Sequence, residues 1–121
     1  MLIARLVWNW LLNSLVLGLI TILIPAIHFA TAMDLRGEIR VILLAGLILG
    51  ILNSIIKPLL KLLSLPLILI TGGLFLIVIN IIILMLVTWL VPELIIPDLW
   101  TYLIAAILLG ILNTIENLFF V

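Results

Sequence analysis

Four long runs of apolar residues, separated by short polar or proline-bearing breaks, divide the chain. A membrane-crossing helix needs about 20 apolar residues. The first run, from about Leu6 to Phe29, ends at a polar stretch holding Asp34, Arg36, Glu38 and Arg40. The second extends from about Ile39 to Ile56 and stops at Lys57-Pro58. The third covers about Leu67 to Val91 and is closed by Pro92. Asp98, just after Pro97, is placed to cap a fourth helix from about Leu99 to Phe120. The pattern predicts an all-α integral membrane protein with four transmembrane helices in a single domain, residues 1–121.

The segment PLLKLLSLP separates the second run from the third. Proline is tolerated in the first turn of a helix but is costly further inside. Lys57-Pro58 is therefore read as the exit from the hydrocarbon. A short interfacial elbow helix follows, with Lys61 and Ser64 on one side and leucines on the other. Pro66 stops the elbow and launches the third span. Gly72 and Gly73 thin the helix for close packing or let it bend. Pro58, Pro66, Gly72 and Gly73 are the candidate elbow and hinge positions.

The chain also contains an echo of itself. GILNSI at Gly50 to Ile55 returns as GILNTI at Gly110 to Ile115, sixty positions later. Asn13, Thr21 and Pro25 return as Asn80, Thr88 and Pro92 at a shift of sixty-seven. The unit is a two-helix hairpin, with one copy over about residues 6–57 and the other over about 67–120. Each copy has an even number of spans, so both enter the membrane in the same sense, as in parallel repeats. On the second helix Gly46, Gly50, Asn53 and Lys57 share a face, and on the fourth Ala106, Gly110, Asn113 and Asn117 repeat the spacing. Small residues four apart let backbones approach closely in lipid, and amides can hydrogen-bond across the contact for about 0.6–2 kcal/mol each. Gly46, Gly50, Asn53, Ala106, Gly110 and Asn113 are the candidate packing positions.

Depth links the asparagines. Asn13 and Asn80 lie about 18 Å below Pro25 and Pro92, and Asn53 and Asn113 about 22 Å into their helices, at 1.5 Å per residue. Asn13, Asn53, Asn80 and Asn113 are expected to meet in one polar layer. The layer is read as glue that sets helix register; the alternative is a hydrated vestibule or a lipid-headgroup site.

Composition narrows the class. Hydrophobic residues make up 69% of the 121 positions and charged residues only 8%, against about a quarter charged in a soluble domain. A formal net charge of zero leaves no basic footprint for nucleic acid. With no cysteine, thiol chemistry and thiolate metal sites are excluded. His28 is the lone histidine, and Asp34 and Glu38 have Arg36 and Arg40 as competing partners, so no metal site is expected. Glu116 is the one acid inside an expected span. No nucleophile has a neighbouring base and no Gly-rich phosphate loop is present, so neither catalytic residues nor a cofactor are expected, and the protein is not read as an enzyme.

Arg5, Lys57 and Lys61 fall on one side of the expected spans, while Arg36 and Arg40 on the other are interleaved with acids. Positive charge favours the cytoplasmic side. Both termini are therefore expected there, with Lys57 and Lys61 four apart at the inner leaflet, in contact with anionic lipid. Trp8, Trp10, Trp89, Trp100 and Tyr102 lie near expected span ends, as interfacial anchors do. Ala30-Thr31-Ala32 imitates a signal-peptidase site, but the apolar run before it exceeds the usual 7 to 15 or so residues of a signal core, so the run is read as a retained span.

The stretch from Lys57 to Asn80, KPLLKLLSLPLILITGGLFLIVIN, resembles the signature of the four-span phage holin superfamily IV. The resemblance rests on Asn53, Lys57, Pro58, Leu65, Pro66, Thr71, Gly73, Leu74, Phe75 and Asn80. It runs from about Ala45 to the C-terminus and more loosely over the first span. Lys57 stands where the family more often has arginine, and Ile70 where it usually has leucine. The resemblance implies a small bacterial inner-membrane protein that forms homo-oligomers among membrane lipids. The expected function is holin-like self-association, with permeabilisation or an envelope-stress or structural role. The alternative is a lipid or small-solute transporter or binding protein using the asparagine layer and the lysine pair.

Overall fold

The computed structural model describes residues 2–29 and 34–119. The Ala30-Thr31-Ala32 motif, Phe120 and the side chain of Asn117 fall outside the described part. Helix α1 (Leu2–Leu23) is followed by a two-residue strand β1 (His28–Phe29). Helix α2 (Leu35–Ile51) passes through a π-helical turn (Leu52–Ile56) into α3 (Lys57–Leu63), and α4 (Leu65–Ile70) follows. Helix α5 (Phe75–Leu90), strand β2 (Leu94–Ile95) and helix α6 (Leu99–Phe119) complete the chain.

Leucine-rich stretches lose little rotamer freedom in a helix, and local chemistry supplies the ends. The Gly37 N–H donates to Asp34 Oδ1 at 2.8 Å, which starts α2 before its charged turn. The Thr101 N–H and hydroxyl both donate to Asp98 Oδ1, at 2.8 and 2.7 Å, so Asp98 caps α6 as its position after Pro97 predicts. At the far ends of α1 and α5, Pro25 and Pro92 follow within two residues and bar continuation.

Among the described residues, three helical stretches are long and apolar enough to cross a membrane: Ile3–Leu23, Leu35–Leu63 and Leu99–Glu116. Helix α5 is apolar but shorter, with 16 residues, about 24 Å at the usual rise. The expected third span, Leu67 to Val91, is thus not one helix. It breaks at Thr71–Leu74, where Gly72 and Gly73 adopt φ of 64° and 96°. The Gly73 N–H reaches back to Ile68 O at 2.9 Å and the Gly72 N–H to Leu69 O at 3.3 Å, the paired bonds of a Schellman helix stop. Thr71 Oγ1 then accepts the Phe75 N–H at 3.1 Å and caps α5. A side chain at either glycine would meet nothing within 4 Å. These glycines therefore bend the chain and do not thin a packed helix.

The expected second span also runs on as helix past Lys57-Pro58. Pro58 does not end the helix. Its ring has no N–H and would crowd the carbonyl four residues back. The π turn just before it widens the coil, with the Lys57 N–H bonded to Leu52 O. Leu35–Leu63 therefore runs on as one apolar stretch of 29 residues, longer than the roughly 30 Å hydrocarbon layer requires. The chain turns instead at Ser64, and Pro66 sits in the first turn of α4, where it is tolerated.

Helix α1 packs on α2 and α5 on α6, while contacts of α1 with α6 and of α2 with α5 join the two hairpins. Strands β1 and β2 pair antiparallel between the two hairpin loops, His28 opposite Ile95 and Phe29 opposite Leu94. The core is apolar, with Leu17, Ile20, Leu49, Leu84, Val87 and Leu109 almost fully buried. Burial follows the sequence echo. Asn13, Leu17, Ile20, Ile24 and Ile27 are buried, and so are Asn80, Leu84, Val87, Val91 and Leu94, sixty-seven positions on. Ala45 and Leu49 match Ala105 and Leu109 in the same way at sixty.

Candidate functional site

The Gly–Asn stripes lie inside each hairpin rather than between the two. Gly50 faces α1, where an added Cβ would stand 3.3 Å from Asn13 Nδ2, and Gly110 faces α5, with Asn80 Nδ2 at 3.2 Å. Each glycine leaves room for the asparagine of its own hairpin partner. The tightest approach is at Gly46, where a Cβ would meet Ser14 Oγ and come within 2.6 Å of its Cα. Ala106 is buried at the equivalent position of α6.

From this contact toward the end of the bundle that holds Arg5 and Lys61, the interior becomes polar. Asn9 and Asn13 are one turn apart on α1. Asn13 Nδ2 donates to Asn9 O at 2.8 Å and to Asn9 Oδ1 at 3.0 Å. Asn13 Oδ1 in turn accepts from Asn53 Nδ2 at 3.1 Å, tying α1 to the π turn. A cleft of about 250 Å³ opens beside this chain of amides. The π turn and α3 line it with Asn53, Ser54, Lys57 and Lys61, and α6 adds Asn113 and Glu116. Lys57 is half-buried and Lys61 exposed. Two acceptors in the cleft, Asn53 Oδ1 and Glu116 Oε2, are buried without a hydrogen-bond partner.

Three of the four asparagines expected in one layer, Asn13, Asn53 and Asn113, share this cleft. Asn80 does not join them. Its Nδ2 donates to Ala106 O at 3.4 Å, its Oδ1 is unpartnered, and it lines a separate groove of about 420 Å³ along α5 and α6. Leu76, one turn before Asn80, stands at the position that Asn9 holds before Asn13. Asn9, Ser54 and the inward turn of Glu116 are site features that the sequence reading missed. The four-residue spacing of Asn9 and Asn13 was a usable signal; the position of Glu116 depends on how α6 packs.

Other expected residues take separate roles. Trp10, expected as an interfacial anchor, donates from its Nε1 to Leu43 O at 2.7 Å across the first hairpin. Tyr102 shares a 2.7 Å hydrogen bond with Thr88 across the second. Trp89 and Trp100 are exposed near helix ends. His28 Nδ1 lies 3.0 Å from Ala26 O on the exposed loop, and among the described residues no three His, Asp or Glu side chains converge.

Chemically, the cleft offers two cations, several amides and one carboxylate at one end of the bundle. Farther in lies the apolar core of Leu17, Ile20, Leu49, Leu84 and Leu109.

Comparison with known proteins follows the same lines. An uncharacterized membrane protein of Bacillus subtilis (strain 168), YvlD, is 45% identical over 75 residues, covering 62% of this chain and 57% of its own. An uncharacterized protein of Streptomyces coelicolor is 28% identical over 82 residues, covering 64% of this chain and 66% of its own. The chain thus spans less than two thirds of the length of these curated relatives. No solved structure matches. The model of the mycobacterial four-span phage holins, superfamily IV, matches residues 4–115. Apolar helices of spanning length and a family match over nearly the whole chain lead to one conclusion: this is a membrane protein belonging to the mycobacterial four-span phage holin family, superfamily IV.

Proposed function

We propose that this protein acts by self-association in the bacterial inner membrane, with both termini cytoplasmic, and that any permeation path is built between copies. The observation that carries this reading is the groove along α5 and α6. In it the half-buried Gly110 and the exposed Thr114 lie four apart, over the fully buried Ala106 and the unpartnered Asn80 Oδ1. Small residues at this spacing favour close helix contact in lipid, where apolar surface alone gives no drive to associate. The apolar core adds support, because the most deeply buried of the described side chains in it include Leu17, Ile20, Leu49, Leu84, Val87 and Leu109. The arginine and lysine distribution supports the orientation.

The same reading takes the two hairpins as copies of one unit, related by an axis along the membrane normal. Support comes from the strand register. His28 pairs with Ile95, its counterpart at sixty-seven, while Phe29 pairs with Leu94. This is the register that a two-fold axis through the His28–Ile95 pair requires.

The test uses the full chain in lipid nanodiscs and native mass spectrometry. Wild type is expected as multimers, and Thr114→Trp, which fills the groove without touching the core, as monomers of unchanged thermal stability. Monomeric wild type, or multimers indifferent to Thr114→Trp, refutes the proposal. Induced expression with a membrane-potential dye then tests permeabilisation; collapse of the potential by wild type but not by Thr114→Trp is the expected result.

A further inference from the structure

The polar cleft lies apart from the groove proposed for self-association. We infer that it binds an aminoethyl phosphate group, as carried by the headgroup of phosphatidylethanolamine, with phosphate at Lys57 and Lys61 and ammonium at Glu116 and Asn53.

The cleft presents cations and unpartnered acceptors together. Lys57 and Lys61 share a face of α3 and enter the same recess, where ammonium groups complement phosphate oxygens. An anion alone would satisfy them. It would leave Glu116 Oε2 and Asn53 Oδ1, which line the same cleft, buried and without donors. Such orphaned acceptors are costly and mark a missing partner. A group joining an anionic phosphate to a cationic N–H donor by a short linker meets both needs at once. The recess of about 250 Å³ is many times the 10–15 Å³ or so that a single water needs, so a headgroup of that size fits. Its place agrees with a lipid source. Lys57 is 22 residues beyond the start of α2, about 33 Å along the axis and so at the far edge of the roughly 30 Å hydrocarbon layer.

The full chain, exchanged in mild detergent against phosphatidylethanolamine, phosphatidylglycerol and phosphatidylcholine, is read by native mass spectrometry for retained lipid. Wild type should retain phosphatidylethanolamine about tenfold better than either of the others, the effect of one lost charge-assisted contact. Phosphatidylcholine keeps the phosphate and the positive charge but has no N–H donor, so this arm needs no variant and no assumption about folding. Glu116→Gln should bring phosphatidylethanolamine down to the phosphatidylglycerol level while phosphatidylglycerol retention stays. The double variant Lys57→Gln/Lys61→Gln should lose both. Equal retention of phosphatidylglycerol or phosphatidylcholine by wild type overturns the inference, as does an undiminished preference in Glu116→Gln. A parallel titration with soluble phosphoethanolamine separates the sources: Glu116-dependent binding of the solute without lipid retention assigns the same chemistry to a solute.

Discussion

At the scale of single residues, the distance from a glycine to its neighbour decides what a methyl group costs. A Cβ at Gly46 would sit 2.6 Å from the Ser14 Cα and 2.7 Å from its N, both backbone atoms that cannot turn aside. At Gly50 the nearest atom is the end of the Asn13 side chain, 3.3 Å away. Gly46→Ala should therefore destabilise the bundle by about 1–3 kcal/mol, as overpacking does, and Gly50→Ala by clearly less. Thermal unfolding in detergent checks the order; equal loss at the two sites contradicts the geometry. Asp98 supplies a pH dependence. Its carboxyl is held below the usual 3.8, first by the Thr101 hydroxyl and then by the Thr101 N–H. A carboxyl depressed in the folded state adds stability above its unfolded pKa and loses it as pH falls through the folded value. The stability advantage of wild type over Asp98→Ala should thus hold at neutral pH and shrink once pH drops below about 3.8, the unfolded reference. An advantage unchanged down to pH 2 or so would place the stabilisation elsewhere.

At the scale of elements, the two breaks around α3 and α4 do different work. The π turn lets the helix carry Pro58 and sets the face on which Asn53, Lys57 and Lys61 emerge. Pro58→Ala restores the missing N–H and removes the ring clash, so the turn should relax toward α-helix. Stability should rise, since an interior proline costs about 3 kcal/mol, while the lysines rotate away from the cleft. A rise in thermal midpoint with altered labelling of a cysteine placed at Lys61 is the expected pair of results; unchanged labelling contradicts the role given to the π turn. Gly73→Ala acts differently. It forces an L side chain to a φ of 96° with no neighbour to lose, so the cost is backbone strain of about 1–2 kcal/mol. Thermal unfolding reads that loss, and Gly73→Asn should recover part of it because asparagine tolerates positive φ better.

At the scale of the whole molecule, the proposed self-association makes any permeation a property of assemblies. Vesicles holding one copy each should retain a trapped dye. Leakage should then rise more steeply than linearly with copies per vesicle, as a multi-subunit lesion requires. Leakage proportional to copy number down to single copies would mean that one bundle opens by itself.

The order of apolar runs determined that this chain lives in lipid and where its helices lie, because burial in hydrocarbon depends on composition over windows of about 20 residues. Gly46, Gly50, Asn13 and Asp98 were legible for a related reason: close approach, amide pairing and capping depend on a residue and its neighbours within a turn or two. The course of the chain past Pro58 was not legible, since an α-helix that stops and one that widens into a π turn share the same local sequence. The two glycines after Thr71 left bending and packing equally open until their φ angles decided between them. Only tertiary packing separated Asn80 from the other three asparagines and turned Glu116 into their cleft. Depth along a helix follows from counting residues, but which helix a side chain faces is set by how the hairpins meet, and that is a relation between distant parts of the chain.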